Sequence, residues 1–226
     1  MASSPFAFPP GTLEFLADLG AHNAKPWFDA NRARYESCYL APAVAFVEAI
    51  GGDLTELVPG IATEPRVNGS VFRINRDVRF SRDKTPYKDH LDFWFWEGER
   101  RTALSGLFLR IAPGAVTVGA GAHGFDPTRL ARYRAAIADR GAGGWLVSVV
   151  ARLEDAGHEI GGETMTRTPR GYTVDADRER FLRQRALYVH AELPPALATN
   201  RALVPTLLRH WRAFVPLHTW LTNEVQ

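Results

Sequence analysis

The stretch from Val71 to Phe95, VFRINRDVRFSRDKTPYKDHLDFWF, limits the fold most narrowly, because no other segment packs arginines, lysines and aspartates so densely between apolar runs. At strand periodicity Phe72, Ile74, Val78 and Phe80 share one face, while Arg73, Asn75, Asp77 and Arg79 share the other. Arg76 interrupts the apolar face. A bulge near Asn75 or Arg76 would turn it outward, so either side of the strand is open to it. From Ser81 to Lys88 the residues Asp83, Thr85 and Pro86 favour a turn, and Pro86 holds Thr85 extended. Leu91, Phe93 and Phe95 then alternate with Asp92, Trp94 and Trp96, as expected of a strand covered on both faces.

From Arg73 to Asp89 the charges do not balance. Arg73, Arg76, Arg79, Arg82, Lys84 and Lys88 stand against Asp77, Asp83 and Asp89, six basic residues to three acidic. Guanidinium forks bind phosphate or carboxylate bidentately, and lysine adds a point charge. The expected ligand-binding set is therefore Arg73, Arg76, Asp77, Arg79, Lys84, Tyr87 and Lys88, roofed by Trp27, Tyr87 or Trp94. Should the aspartates instead take up these cations, the segment becomes a self-paired network that ties strands together. His90, next to Lys88, is the one histidine placed to move a proton at such a cluster. No histidine or cysteine spacing predicts a metal site, no cofactor is expected, and catalytic residues cannot be assigned. Serine chemistry lacks both a G-x-S-x-G elbow and a base visible beside Ser81.

RINRDVRFSRDKTPYK resembles the signature of a bacterial and fungal family known only as domain of unknown function 2461. Trp27-Phe28, Asn31-Arg32 and Tyr35 resemble that family's N-terminal helix, and Gly119-Ala120-Gly121 its later glycine turn, so the likeness covers nearly the whole chain. It implies no substrate and no catalytic residues. His123-Gly124-Phe125 departs from the family, standing where a tryptophan-containing stretch is expected.

A chain of 226 residues with 46% hydrophobic and 23% charged residues suits one soluble domain spanning 1–226. Its net charge of +2 is too small to argue nucleic-acid or membrane binding from totals. Cys38, the single cysteine, rules out an internal disulfide and reads as a helix-packing thiol. MASSPFAFPP lacks the basic and apolar regions of a signal peptide, and no later stretch reads as long enough to span a bilayer. The expectation is a cytoplasmic protein without membrane contact. Asn68-Gly69-Ser70 matches a glycosylation sequon but is better read as a turn.

Thr12 is expected to cap a helix closed by Gly20; a second helix starts near Pro26, and a third runs from Pro42 with a break at Gly51-Gly52. Trp27, Asn31 and Tyr35 at one-turn spacing read as core with one polar edge. Leu104–Ile111 and Val116–Gly119 form a hairpin around Pro113-Gly114. Gly119-Ala120-Gly121-Ala122-His123-Gly124 has the letters of a dinucleotide fingerprint, which is rejected because the preceding strand belongs to a hairpin and Asp126-Pro127 starts the helix. Beyond it come helices marked by Tyr133 and by Trp145 with Val149, a hairpin around Arg170-Gly171, and a short helix near Arg178. A strand from Leu187 to Leu193 follows, then a terminal helix or helix pair with Pro205 or Pro216 as a boundary or kink. The order predicts an α+β fold, a mainly antiparallel sheet packed by N-terminal and C-terminal helices. The leading functional expectation is a cleft for a small anionic ligand, with hydrolytic or transfer chemistry open. The alternatives are a nucleic-acid module, whose aromatics stack bases, and a structural or interaction protein.

Overall fold

Prolines stand in the first turn of the first two helices, since a fixed φ suits that turn and the missing N–H costs nothing there. The computed structural model describes residues 5–226, so the first four residues of MASSPFAFPP lie outside the described residues. Helix α1 spans Pro10–Ala21 and α2 spans Lys25–Ala30. Helix α3 (Arg32–Arg34) runs through a π-helical turn (Tyr35–Leu40) into α4 (Ala41–Leu57) without a break, and α4 continues through Gly51-Gly52. Thr12 does not cap. It lies inside α1, fully buried, and donates Oγ1 to the Cys38 carbonyl at 2.6 Å. The helix already starts at Pro10, two residues before Thr12; Pro42, four residues beyond Cys38, has no N–H to offer that carbonyl.

Arg32–Leu57 is thus one 26-residue helix, apolar and long enough to cross a bilayer by length and composition, which corrects the expectation that no stretch has that length. One side of it, Phe46, Val47, Ile50 and Leu54, is buried in the core. There the Phe46 ring meets Phe8 at 5.4 Å and Phe93 at 4.8 Å.

The strands are β1 (Ile61–Ala62), β2 (Leu91–Glu97), β3 (Gly106–Ile111), β4 (Val116–Ala122), β5 (Glu159–Gly161) and β6 (Leu187–Leu193). They form a six-stranded antiparallel sheet in the order β1-β2-β3-β4-β6-β5. With helices α5 (Pro127–Ala138), α6 (Arg140–Asp155), α7 (Ala176–Leu182) and α8 (Leu203–Glu224), the fold is α+β. The chain divides into two compact units, one of Met1–Phe95, Phe108–Val118 and Glu192–Arg209, the other of Trp96–Leu107, Gly119–Ala191 and His210–Gln226.

Asp126 caps α5 by accepting from the Arg129 amide at 2.9 Å, and Asp139 caps α6 through the Ala142 amide at 2.8 Å. Helix α8 starts at Leu203, just before Pro205, and runs through Pro216 as a single element. The hairpin expected around Arg170-Gly171 does not form. That segment spends its backbone on a distant partner, Met165 N–H to Arg183 C=O and Arg185 N–H to Glu163 C=O, both at 2.7 Å.

The glycines of the rejected fingerprint lie in β4, where β6 comes close. A Cβ on Gly119 would sit 2.9 Å from the Val189 carbonyl oxygen. On Gly121, whose φ is +129°, it would sit 2.5 Å from that of Leu187.

Candidate anion site at the start of strand β2

The charged motif is not a strand. Among the described residues the backbone between Val71 and Tyr87 makes only isolated bridges, Val71 to Val67 and to Phe93 and Asn75 to Tyr87, and the alternation fails after Ile74. Arg76 N–H donates to the Pro86 carbonyl at 2.9 Å and Lys88 N–H to that of Ile74 at 2.8 Å, so Asp77 to Thr85 is a loop closed at its base. Phe80, expected among the buried residues, is 96% exposed at that loop. The sheet face expected to carry Arg73 and Arg79 together therefore does not exist. The reason is local: side chains within the loop satisfy its backbone and its charges, and they compete successfully with ladder pairing.

Each loop aspartate is spent on a cation of the loop. Arg79 donates Nε and Nη2 to the two oxygens of Asp77, at 2.9 and 2.6 Å. That fork, with the Arg79 amide, lowers the Asp77 carboxyl to about 2. Asp83 accepts from the Thr85 amide at 2.9 Å and from Arg76, and these bonds lower it to about 2 as well. Arg76, half-buried, also donates to the Thr85 carbonyl at 3.2 Å and to its hydroxyl. Lys84 Nζ donates to the Val78 carbonyl at 2.8 Å. Arg73 and Arg82 are exposed and in no ion pair among the described residues.

Tyr87 is a core anchor. Its ring stacks on Phe28 with centroids 4.2 Å apart, and the Asn23 amide clasps its backbone at both N–H and C=O, at 3.0 and 2.9 Å. Trp27 stacks on His22 at 5.7 Å.

The convergence of charge lies at the start of β2, on Asp92, only 4% exposed. Arg110 of β3 forks onto it through Nε at 2.7 Å and Nη2 at 3.2 Å. Lys88 Nζ lies 3.4 Å and His90 Nε2 3.3 Å from its Oδ2. Burial pushes the Asp92 carboxyl up, but the bonds from His90 and Arg110 outweigh it and hold the group well below the usual carboxylate range. His90 reaches the other way through Nδ1, 2.9 Å from Asp89 Oδ1, and so bridges two carboxylates. Lys88 Nζ also lies 4.7 Å from the centre of the Phe72 ring. Of the expected site residues, only Lys88 belongs to this cluster. Asp92 and Arg110 were absent from that set, although Asp92 is the one acidic residue on a strand otherwise apolar and aromatic to Trp96, which is its visible signal.

The Tyr39 hydroxyl, in the π-helical turn, is buried with no hydrogen-bond partner among the described residues. Burial first, and then the Asp92 charge, push its phenol up.

The family model described as conserved hypothetical protein (DUF2461) matches residues 11–220. The chain belongs to this family. No curated protein and no solved structure matches it. The match takes in the charged loop, the Asp92 cluster and a second polar chain of this DUF2461 member.

In that second chain Ser105 Oγ lies 2.8 Å from His218 Nδ1, and His218 Nε2 lies 2.8 Å from Glu97 Oε2. The atoms are those of a serine–histidine–carboxylate relay, which sequence reading had no means of assembling across more than a hundred residues. Ser105 is 1% exposed and His218 is fully buried, so no acyl group reaches the hydroxyl as it stands. The chain satisfies a buried imidazole instead. No group of three or more His, Cys, Asp or Glu among the described residues is placed to hold a metal ion.

Proposed function

We propose that the protein binds a small anionic ligand, bearing phosphate or carboxylate, on Arg110 and Lys88 beside His90. The observation that carries this reading is the cluster on Asp92: two cations are anchored there by one buried carboxylate while both keep donors to spare. A guanidinium has five N–H donors and an ammonium three. Asp92 takes two from Arg110, whose side chain is 41% exposed, and one from Lys88. The loop cations Arg76, Arg79 and Lys84 support the reading less, since each is already committed within the loop.

Lys88 and Arg110 together balance Asp89 and Asp92, so the proton on His90 decides whether the cluster is neutral or cationic. His90 is also the group that would carry a proton in any transfer chemistry there. The proposed setting is the cytoplasm, supported by a single, unpaired cysteine.

Titration calorimetry with inorganic phosphate tests the assignment. Saturable binding is expected at millimolar concentration or below. Arg110→Ala weakens it by about tenfold or more, the equivalent of one charge-assisted hydrogen bond. Asp89→Asn strengthens it by removing an exposed opposing charge. Arg79→Ala leaves it unchanged. If wild-type protein binds no phosphate and Arg110→Ala lowers only the melting temperature, the cluster is a structural ion-pair network.

A further inference from the structure

A cleft of about 490 Å³ opens between the start of α6 and the last turns of α8. Its walls include two indoles, Trp145 and Trp220, two carboxylates, Asp139 and Glu224, and the polar side chains of Thr219 and Asn223. None of its described lining residues is basic.

The two indoles differ in role. Trp220 is fixed: it is buried, its Nε1 donates to the Ala142 carbonyl at 2.9 Å, and Tyr133 packs edge-on at 5.9 Å. Trp145 is 42% exposed, an indole left in water on a helix whose buried positions belong to Leu146, Val149, Val150 and Leu153.

The charged side chains lining the cleft are both acidic; behind it the buried Arg178, paired with Asp175, donates to the Asp139 carbonyl at 3.0 Å. Glu224 ends α8, where the helix dipole is already negative and favours cations. The positive end of α6 is occupied by the protein's own carboxylate, since Asp139 Oδ1 accepts from Ala142 N–H and the Asp139 carbonyl from Gly143 N–H at 3.0 Å. That seat is therefore closed to an external anion, while Asp139 Oδ2 and the Glu224 carboxylate are in no ion pair among the described residues. A cleft of ligand size with an exposed indole, two carboxylates and no cation of its own fits a compact positive charge with an apolar surface.

We propose that this cleft binds a small organic cation, an alkyl or quaternary ammonium, against the face of Trp145 and within the field of Asp139 and Glu224. The proposal is independent of the anion site, since the two share no residue.

Choline chloride is the probe, followed by indole fluorescence and calorimetry, with its uncharged carbon isostere dimethylbutanol and sodium chloride as comparisons. Choline is expected to bind saturably and dimethylbutanol and sodium not. Trp145→Leu and Glu224→Gln, both at exposed positions, are each expected to weaken choline by about fivefold, the loss of one solvent-exposed cation–π or charge contact. Melting curves matching wild type establish that both variants are folded. Equal binding of choline and dimethylbutanol, absence of choline binding at millimolar concentration, or unchanged affinity in folded Trp145→Leu would each overturn the assignment.

Discussion

Asp92 shows how one buried carboxylate organises its surroundings. Three basic side chains converge on it, so its removal strands several charges at once. Asp92→Asn is expected to destabilise the protein by about 2 to 4 kcal/mol, somewhat below a fully buried pair because Arg110 is partly solvated. Urea unfolding measures this, and a loss within experimental error would mean that the convergence contributes little. His218 gives a pH dependence. Burial pushes its imidazole down, with Glu97 opposing, so the folded state keeps it neutral while the unfolded chain takes up a proton near about pH 6.5. Its contribution is complete above that pH and is lost as pH falls toward the lower folded value. Burial of His158 acts with the same sign. Stability of wild type should therefore fall between about pH 7 and 5, and less steeply in His218→Gln; parallel profiles would remove His218 as a cause.

At the scale of elements, two backbone features have causes that substitution can test. Pro42 has no N–H for the Cys38 carbonyl four residues before it, and Thr12 Oγ1 donates there at 2.6 Å. Thr12→Val should cost about 1 kcal/mol by removing that part-buried hydrogen bond. In a Pro42→Ala background, which restores an N–H, the cost should shrink, and a double-mutant cycle reads the difference. Additive effects would show that the proline is not the reason. Strand β4 needs Gly121, where a methyl would meet the Leu187 carbonyl and the Tyr188 backbone on β6. Gly121→Ala should lower the melting temperature more than alanine at Gly114, whose Cβ has open space. The Val116 to Gly119 strand and the Asp126 cap are legible because alternation and capping act between close neighbours; the loop from Asp77 to Thr85 is not, because its hydrogen bonds override an alternation that the letters do carry.

Across the whole molecule, 27 basic residues against 25 acidic leave little net attraction for a polyanion. Binding to DNA or RNA should be weak and strongly salt-dependent, because a near-neutral total gives little long-range attraction and salt screens what local attraction there is. Fluorescence anisotropy with single-stranded oligonucleotides across a salt series checks this. Tight binding at physiological salt would shift attention to Phe80, exposed among Arg79, Arg82 and Lys84.

The sequence by itself determined the α+β class, the order of most helices and strands, the family and the place where charge concentrates. Those properties are written in periodicity, caps and one long motif, all short-range. Only the tertiary structure decided which charges meet. Arg110 reaches Asp92 across neighbouring strands, and His218 reaches Ser105 and Glu97 from the far end of the chain. Inside a core the cost of an unpaired polar group selects the partner, and that cost depends on burial, which no stretch of sequence carries alone.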